Sequence, residues 1–298
     1  MLNRRSFLIS AGAGAAAGSL LSSLSFAADQ TAVPLGIQLW TVKSEAEKDL
    51  EGTLRKVYAA GFREIEFAGY YGKDPAELAK LMKSIGSSLV STHAGAGDIA
   101  KNGDKILADA KALGLKYVVC SSPGVSPEKE KLPWEERMKA VDLTDWKWNA
   151  DLFNTFGKKV SDAGMQFGYH NHSAEFRKLS NGQTGFDWLF ANTDPKHVNI
   201  ELDVGWVVTA QADPIAILNK HKARVIALHV KDVGKRGADG KDPASVALGE
   251  GVIDWKSVIG TAKKNGTKAF FYEQEEPFTR PILESVKISG AYLQKLKV

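Results

Sequence analysis

Strand and helix signals alternate eight times between Leu35 and the end of the chain, and this alternation restricts the fold more than any other feature. Short apolar runs over 35–39, 63–67, 89–93, 116–120, 165–170, 198–203, 225–229 and 268–273 read as strands. A helical pattern follows each of them. Ser44 with Glu47 reads as a capping box ahead of Leu50, Leu54, Val57 and Tyr58. Asp74-Pro75-Ala76-Glu77 opens the next helix, with Leu78, Leu81, Met82 and Ile85 as its apolar stripe. Further helices are expected over 99–113, 145–163 and 281–296, with Asp213 and Asp254 capping two more. Gly61, Gly86, Gly114, Gly164 and Gly266 stop helices just before the next strand. No linker divides the series, so the expectation is an α/β fold, a single-domain (β/α)8 barrel. A doubly wound open sheet is the main competitor. It calls for a glycine-rich phosphate turn after the first strand, and Trp40-Thr-Val-Lys43 is not one.

The barrel starts after an N-terminal segment of another kind. Asn3-Arg4-Arg5-Ser6-Phe7-Leu8 reads as a twin-arginine signal, followed by an apolar Ala/Gly-rich stretch and Ser25-Phe26-Ala27 as a cleavage site. Residues 1–27 are therefore expected to be removed, leaving 28–298 as a periplasmic barrel with no membrane anchor. Replacing both arginines with lysine should hold the precursor in the cytoplasm, and normal export of that variant would refute the targeting. Removal takes two of the 39 basic residues and none of the 35 acidic ones, leaving a formal charge of +2. So small an excess argues against a nucleic-acid partner. Cys120 is the one cysteine, which excludes an internal disulfide; its apolar strand marks a structural thiol.

Four consecutive strand runs end in a good metal ligand: His170, Asp203, His229 and Glu273. In a parallel barrel those ends meet at one mouth, where two imidazoles and two carboxylates suit one divalent ion. Glu175 is a weaker alternative ligand, and Glu201, two residues before Asp203, is placed to orient one. His172 and Lys231 should face the mouth with their neighbours at 170 and 229, Lys231 as a catalytic or substrate-binding ammonium. Trp40 and Trp206 are placed to stack on a sugar ring, with Gln38 and His93 as polar wall residues.

These residues carry a resemblance. GYHNHSAEF (168–176), ELDVGW (201–206), LHVKD (228–232), GEGVIDW (249–255), YEQE (272–275) and the opening GIQLWTV (36–42) resemble the xylose-isomerase-like sugar phosphate isomerase/epimerase superfamily, across the whole of 28–298. That superfamily includes ketose 3-epimerases and inosose dehydratases and isomerases. The resemblance implies a TIM barrel with one divalent ion (Mn, Co, Mg or Zn) on Asp203, His229 and Glu273. Its epimerases usually end strand five in glutamate, paired with the strand-eight glutamate as acid and base; His170 stands there in this chain.

The expectation is an exported metal-dependent isomerase or epimerase, acting on a neutral keto-sugar, keto-glycoside or cyclitol through a metal-stabilised enediolate. Glu273 is the expected base, with His170 and Lys231 assisting. A dehydratase acting on an inosose or keto-glycoside is the first alternative, and a non-catalytic sugar-binding barrel the second. A DNA-repair endonuclease on the same barrel would need more metals and a basic face.

Overall fold

The computed structural model describes residues 35–298. The expected signal peptide, its arginines and its cleavage site lie outside them. Eight parallel strands close into one barrel in sequential order. They are β1 Gly36–Gln38, β2 Glu64–Phe67, β3 Ser88–Ala94, β4 Tyr117–Cys120, β5 Gln166–His170, β6 Asn199–Asp203, β7 Val225–Val230 and β8 Ala269–Tyr272. The fold is thus the single-domain (β/α)8 barrel expected from the alternation. Among the described residues no helix is long and apolar enough to cross a membrane.

Side chains alternate across each strand. Outward residues such as Ile65, Phe67, Phe167, Leu202 and Leu228 pack against the surrounding helices. Val90, Tyr117, Val119, Ile226, Ala227, Ala269 and Phe271 form a separate apolar cluster that plugs the lower barrel, with the alternation interrupted at Val90 and Ile226 where the strand register shifts. Above that plug the interior turns polar, and its side chains lie at the carboxyl ends of the strands.

The caps follow the local chemistry. Asp74 and Glu77 form the full capping box, and Asp213 and Asp254 cap their helices. All five expected glycine stops have positive φ. One expectation fails. Ser44 caps nothing: a short helix Lys43–Lys48 breaks at Asp49, whose backbone is extended. Asp49 then caps Leu50–Ala59 by accepting from Gly52 N–H at 2.9 Å. Asp49 offers a carboxylate where the chain already leaves helical geometry, and that wins over Ser44.

The long loop after β4 carries two short helices, Pro127–Glu130 and Trp134–Ala140. The one after β7 folds back as an antiparallel ribbon, Asp232–Val233 with Ser245–Val246. Asp232 latches it. Its carboxylate accepts from the N–H groups of Val233, Gly249, Gly251 and Ile253 at 3.0–3.4 Å. Gly251 is required by close approach, since a Cβ there would lie 2.0 Å from Asp232 Oδ1.

Candidate metal centre

Each residue of the mouth is aimed by its own strand end. At β5, Asn171 exchanges hydrogen bonds with the Asp203 backbone at 3.1 and 3.3 Å, locking the end of β5 to β6. Tyr169 O–H and His172 N–H donate to the two oxygens of Glu175 at 2.8 and 3.0 Å. Glu175 is thereby held away from the other acids, so the structure does not bring it in as a ligand. Asp203 Oδ1 caps the turn that follows β6 by accepting from Trp206 N–H at 2.8 Å, which leaves Oδ2 facing the mouth. On β7, His229 pairs in register with Asp203.

The structure brings His170, Asp203, His229 and Glu273 together: one ligand atom from each lies within 4.8 Å of all the others. All four residues are buried. Lys231 sits beside them, also buried. Its Nζ is 2.9 Å from Asp203 Oδ2, 2.9 Å from Glu273 Oε2 and 2.5 Å from Glu275 Oε1. Its stem lies against Gly205, where any Cβ would come within 2.7 Å of it, and its ammonium is 4.7 Å from the Trp206 ring centroid.

A second polar layer lies beneath. Glu201 Oε2 is 2.7 Å from His93 Nε2 and 3.2 Å from His170 Nδ1. Glu66 Oε1 is 2.8 Å from His229 Nε2 and accepts from Gln38 Nε2 at 2.9 Å. Gln38 and His93, expected on the substrate wall, are instead committed to these buried carboxylates. Glu66 was missed by sequence reasoning. The available signal was an acid on the inward face of β2, between outward Ile65 and Phe67, in a strand covered on both sides.

The lower carboxylates fix the rings above them. With Nδ1–H of His170 donating to Glu201 and Nε2–H of His229 donating to Glu66, His170 Nε2 and His229 Nδ1 face Asp203 and Glu273. This is the carboxylate–histidine arrangement that orients metal-binding imidazoles. Burial, then the neighbouring His229, pushes the His170 pKa well below its usual value, so this ring is neutral at pH 7. Burial works against a charged His229 too, but Glu201 and Glu273 outweigh it and raise its pKa well above the usual value. Its Nδ1 then donates a proton to Glu273 Oε2 at 2.9 Å, where a cation would take the proton's place. Burial likewise opposes charge on His93, and Glu66 with Glu201 lifts its pKa to about 10.

The donor set fits a divalent ion on two further counts. Asp203 Oδ2 is buried and has no hydrogen bond, its charged neighbour being the Lys231 ammonium at 2.9 Å. Even with Lys231, His93 and His229 all charged, the carboxylates of Glu66, Glu201, Asp203, Glu273 and Glu275 leave two negative charges in excess. Glu201→Gln should therefore weaken divalent-ion affinity roughly 10–100-fold by loosening the His170 ring. Titration against a competing chelator measures this; unchanged affinity would show that Glu201 does not orient the ligand.

The mouth is rimmed by aromatic rings. His172 lies 4.9 Å from His170, 5.3 Å from Trp134 and 5.7 Å from Trp206, centroid to centroid. His172 Nδ1 and Trp206 Nε1 are buried and make no hydrogen bond, with Glu175 Oε1 3.9 Å from the former. Trp40 lies apart from this rim, on the loop after β1.

Residues 54–289 match the xylose isomerase-like TIM barrel family. The chain belongs to that family. Among its relatives is the inosose dehydratase of Geobacillus thermodenitrificans, 25% identical over 264 residues, covering 81% of this chain and 88% of the relative. A sugar phosphate isomerase/epimerase from Parabacteroides distasonis superposes with a TM-score of 0.73 at 25% identity, over 88% of this chain and 97% of that one. The 3-keto-D-glucoside 4-epimerase of E. coli shares the fold, with a TM-score of 0.66 at 15% identity over 88% and 98% of the two chains. Dehydratases and epimerases thus both stand among the enzymes this barrel resembles.

Proposed function

We propose that the protein is a divalent-metal-dependent isomerase or epimerase of a neutral keto-sugar, keto-glycoside or cyclitol. The observation that carries this is the convergence of His170, Asp203, His229 and Glu273, with an unbonded Asp203 oxygen among them. A divalent ion held by these four would polarise a ketone oxygen and the hydroxyl beside it. The remaining work falls to the protein's own groups. Glu273 is the base that takes the proton from the carbon next to the carbonyl. Burial opposes its ionised form, but Lys231 and His229 hold its pKa well below the usual carboxylate value. Lys231 keeps that carboxylate oriented and offers its ammonium to a substrate oxygen. His172 and Trp206 supply ring N–H groups for hydroxyls at the rim. Return of the proton by Glu273 to the neighbouring carbon isomerises, whereas inversion of the first carbon requires a second acid to deliver a proton to the opposite face.

Elimination is the second reading, favoured by two observations. Position 170 is a histidine counted among the four metal donors, so Glu273 has no second carboxylate there to act as its acid–base partner, and one base is all an elimination requires. The inosose dehydratase relatives point the same way. Incubating the protein with Mn2+, keto-sugars, inososes and 3-keto-glycosides in deuterated water tests both. Deuterium entering recovered sugar supports isomerase or epimerase chemistry, and loss of water from the product supports elimination. Neither outcome with any compound would overturn the proposal in favour of sugar binding without turnover.

A further inference from the structure

Beside the metal centre lies a cavity of about 330 Å3, between the loop after β1 and the segment after β8. Small-molecule pockets start at roughly this size. Trp40, Val42, Phe278 and Ile282 supply its apolar lining, and Glu275 and Glu276 its carboxylates. Its two walls are tied together where Gln274 N–H donates to Thr41 Oγ1 at 3.1 Å. Glu275 belongs to both places: it lines the cavity and bonds Lys231, which contacts Asp203 and Glu273. Glu275 and Lys231 thus connect the cavity lining to two of the four donor residues, Asp203 and Glu273.

We propose that this cavity is a second sugar subsite, which takes the neutral ring glycosidically linked to the one that reacts at the metal centre. The placement of the reacting ring rests on the function proposed above. Trp40 is 47% exposed although it is a large aromatic, so one of its surfaces is open to a ligand. A pyranose has an apolar C–H face that covers an indole and a rim of hydroxyls that donate to carboxylates. Trp40 with Glu275 and Glu276 offers both. Glu275 is paired with Lys231 and Lys43 with Glu47, so no unpaired cation among these lining residues faces a phosphate or carboxylate on the bound ring, and Glu276 disfavours one. The cavity's volume suits one ring, so the fitting substrate is a disaccharide-like glycoside rather than a free monosaccharide.

Calorimetric titration with methyl β-D-glucoside, trehalose, cellobiose and maltose at constant Mn2+ tests this without requiring turnover. At least one disaccharide should bind roughly tenfold more tightly than the methyl glucoside, the worth of one stacked, hydrogen-bonded ring. In Trp40→Ala that ratio should fall to within about twofold, and Trp40→Phe should retain most of it. Glu276→Gln should lower it by a smaller factor. Equal affinity of all four ligands for the wild-type protein, or an unchanged ratio in Trp40→Ala, would overturn the subsite. Failure of the two ideas is separable. Deuterium exchange into free keto-sugars with no preference for disaccharides keeps the reaction and removes the subsite. A disaccharide preference with no exchange keeps the subsite and removes the reaction.

Discussion

Glu273→Gln should lower exchange of the substrate C–H with deuterated solvent by about 10²–10⁴-fold, the usual worth of a positioned proton-transfer group. Glutamine still offers an oxygen to a cation, so ion binding should survive in part and the loss should persist at saturating Mn2+. That separates the base from the ligand, two roles carried by one side chain whose Oε2 lies 2.9 Å from both His229 Nδ1 and Lys231 Nζ. Wild-type exchange in the variant would remove Glu273 as the base and pass the role to an imidazole, His170 or His172.

The second large effect concerns folding. Lys231 is buried among Asp203, Glu273 and Glu275, and although burial opposes its charge, these three raise its pKa far above the usual lysine value. Lys231→Met removes the cation and leaves the acids. Breaking a buried pair by deleting one partner costs about 3–5 kcal/mol. Denaturant unfolding of the chelator-treated variant should show a loss of that size. Mn2+ should restore part of it, and should stabilise the variant more than the wild type, because binding to the native state alone adds stability by mass action. A metal-free variant as stable as the wild type would mean that Lys231 is not the counter-charge of this cluster.

The barrel was legible because parallel strands buried on both faces show as apolar runs, and because acids and glycines mark the helix ends. The four donors were legible for a related reason: a polar residue closing such a run has only the mouth to face. What lay outside local pattern was illegible. Nothing near Ser44 in the sequence announces that the helix breaks at Asp49. Glu66 is an acid in a strand that also carries Glu64, and only closure of the barrel sets it 2.8 Å from His229, 163 residues away. The same closure moved Gln38 and His93 from wall to floor, because Glu66 and Glu201 were there to receive them. Trp40 was expected to stack on a sugar ring, but the side cavity it lines, apart from the rim, depends on Phe278 and Ile282, brought in from the other end of the chain.

Lys231 and Asp232 are consecutive, and they divide the loop after β7 from the reaction centre. Lys231 turns inward to the acids; Asp232 turns outward and clamps the ribbon and the backbone at 249–253. Residues 234–244 hang from that clamp and are largely exposed. Such a segment can lengthen, shorten or change composition while its anchor points stay put. Changes of length or composition there should thus leave Lys231 and the acids it contacts undisturbed.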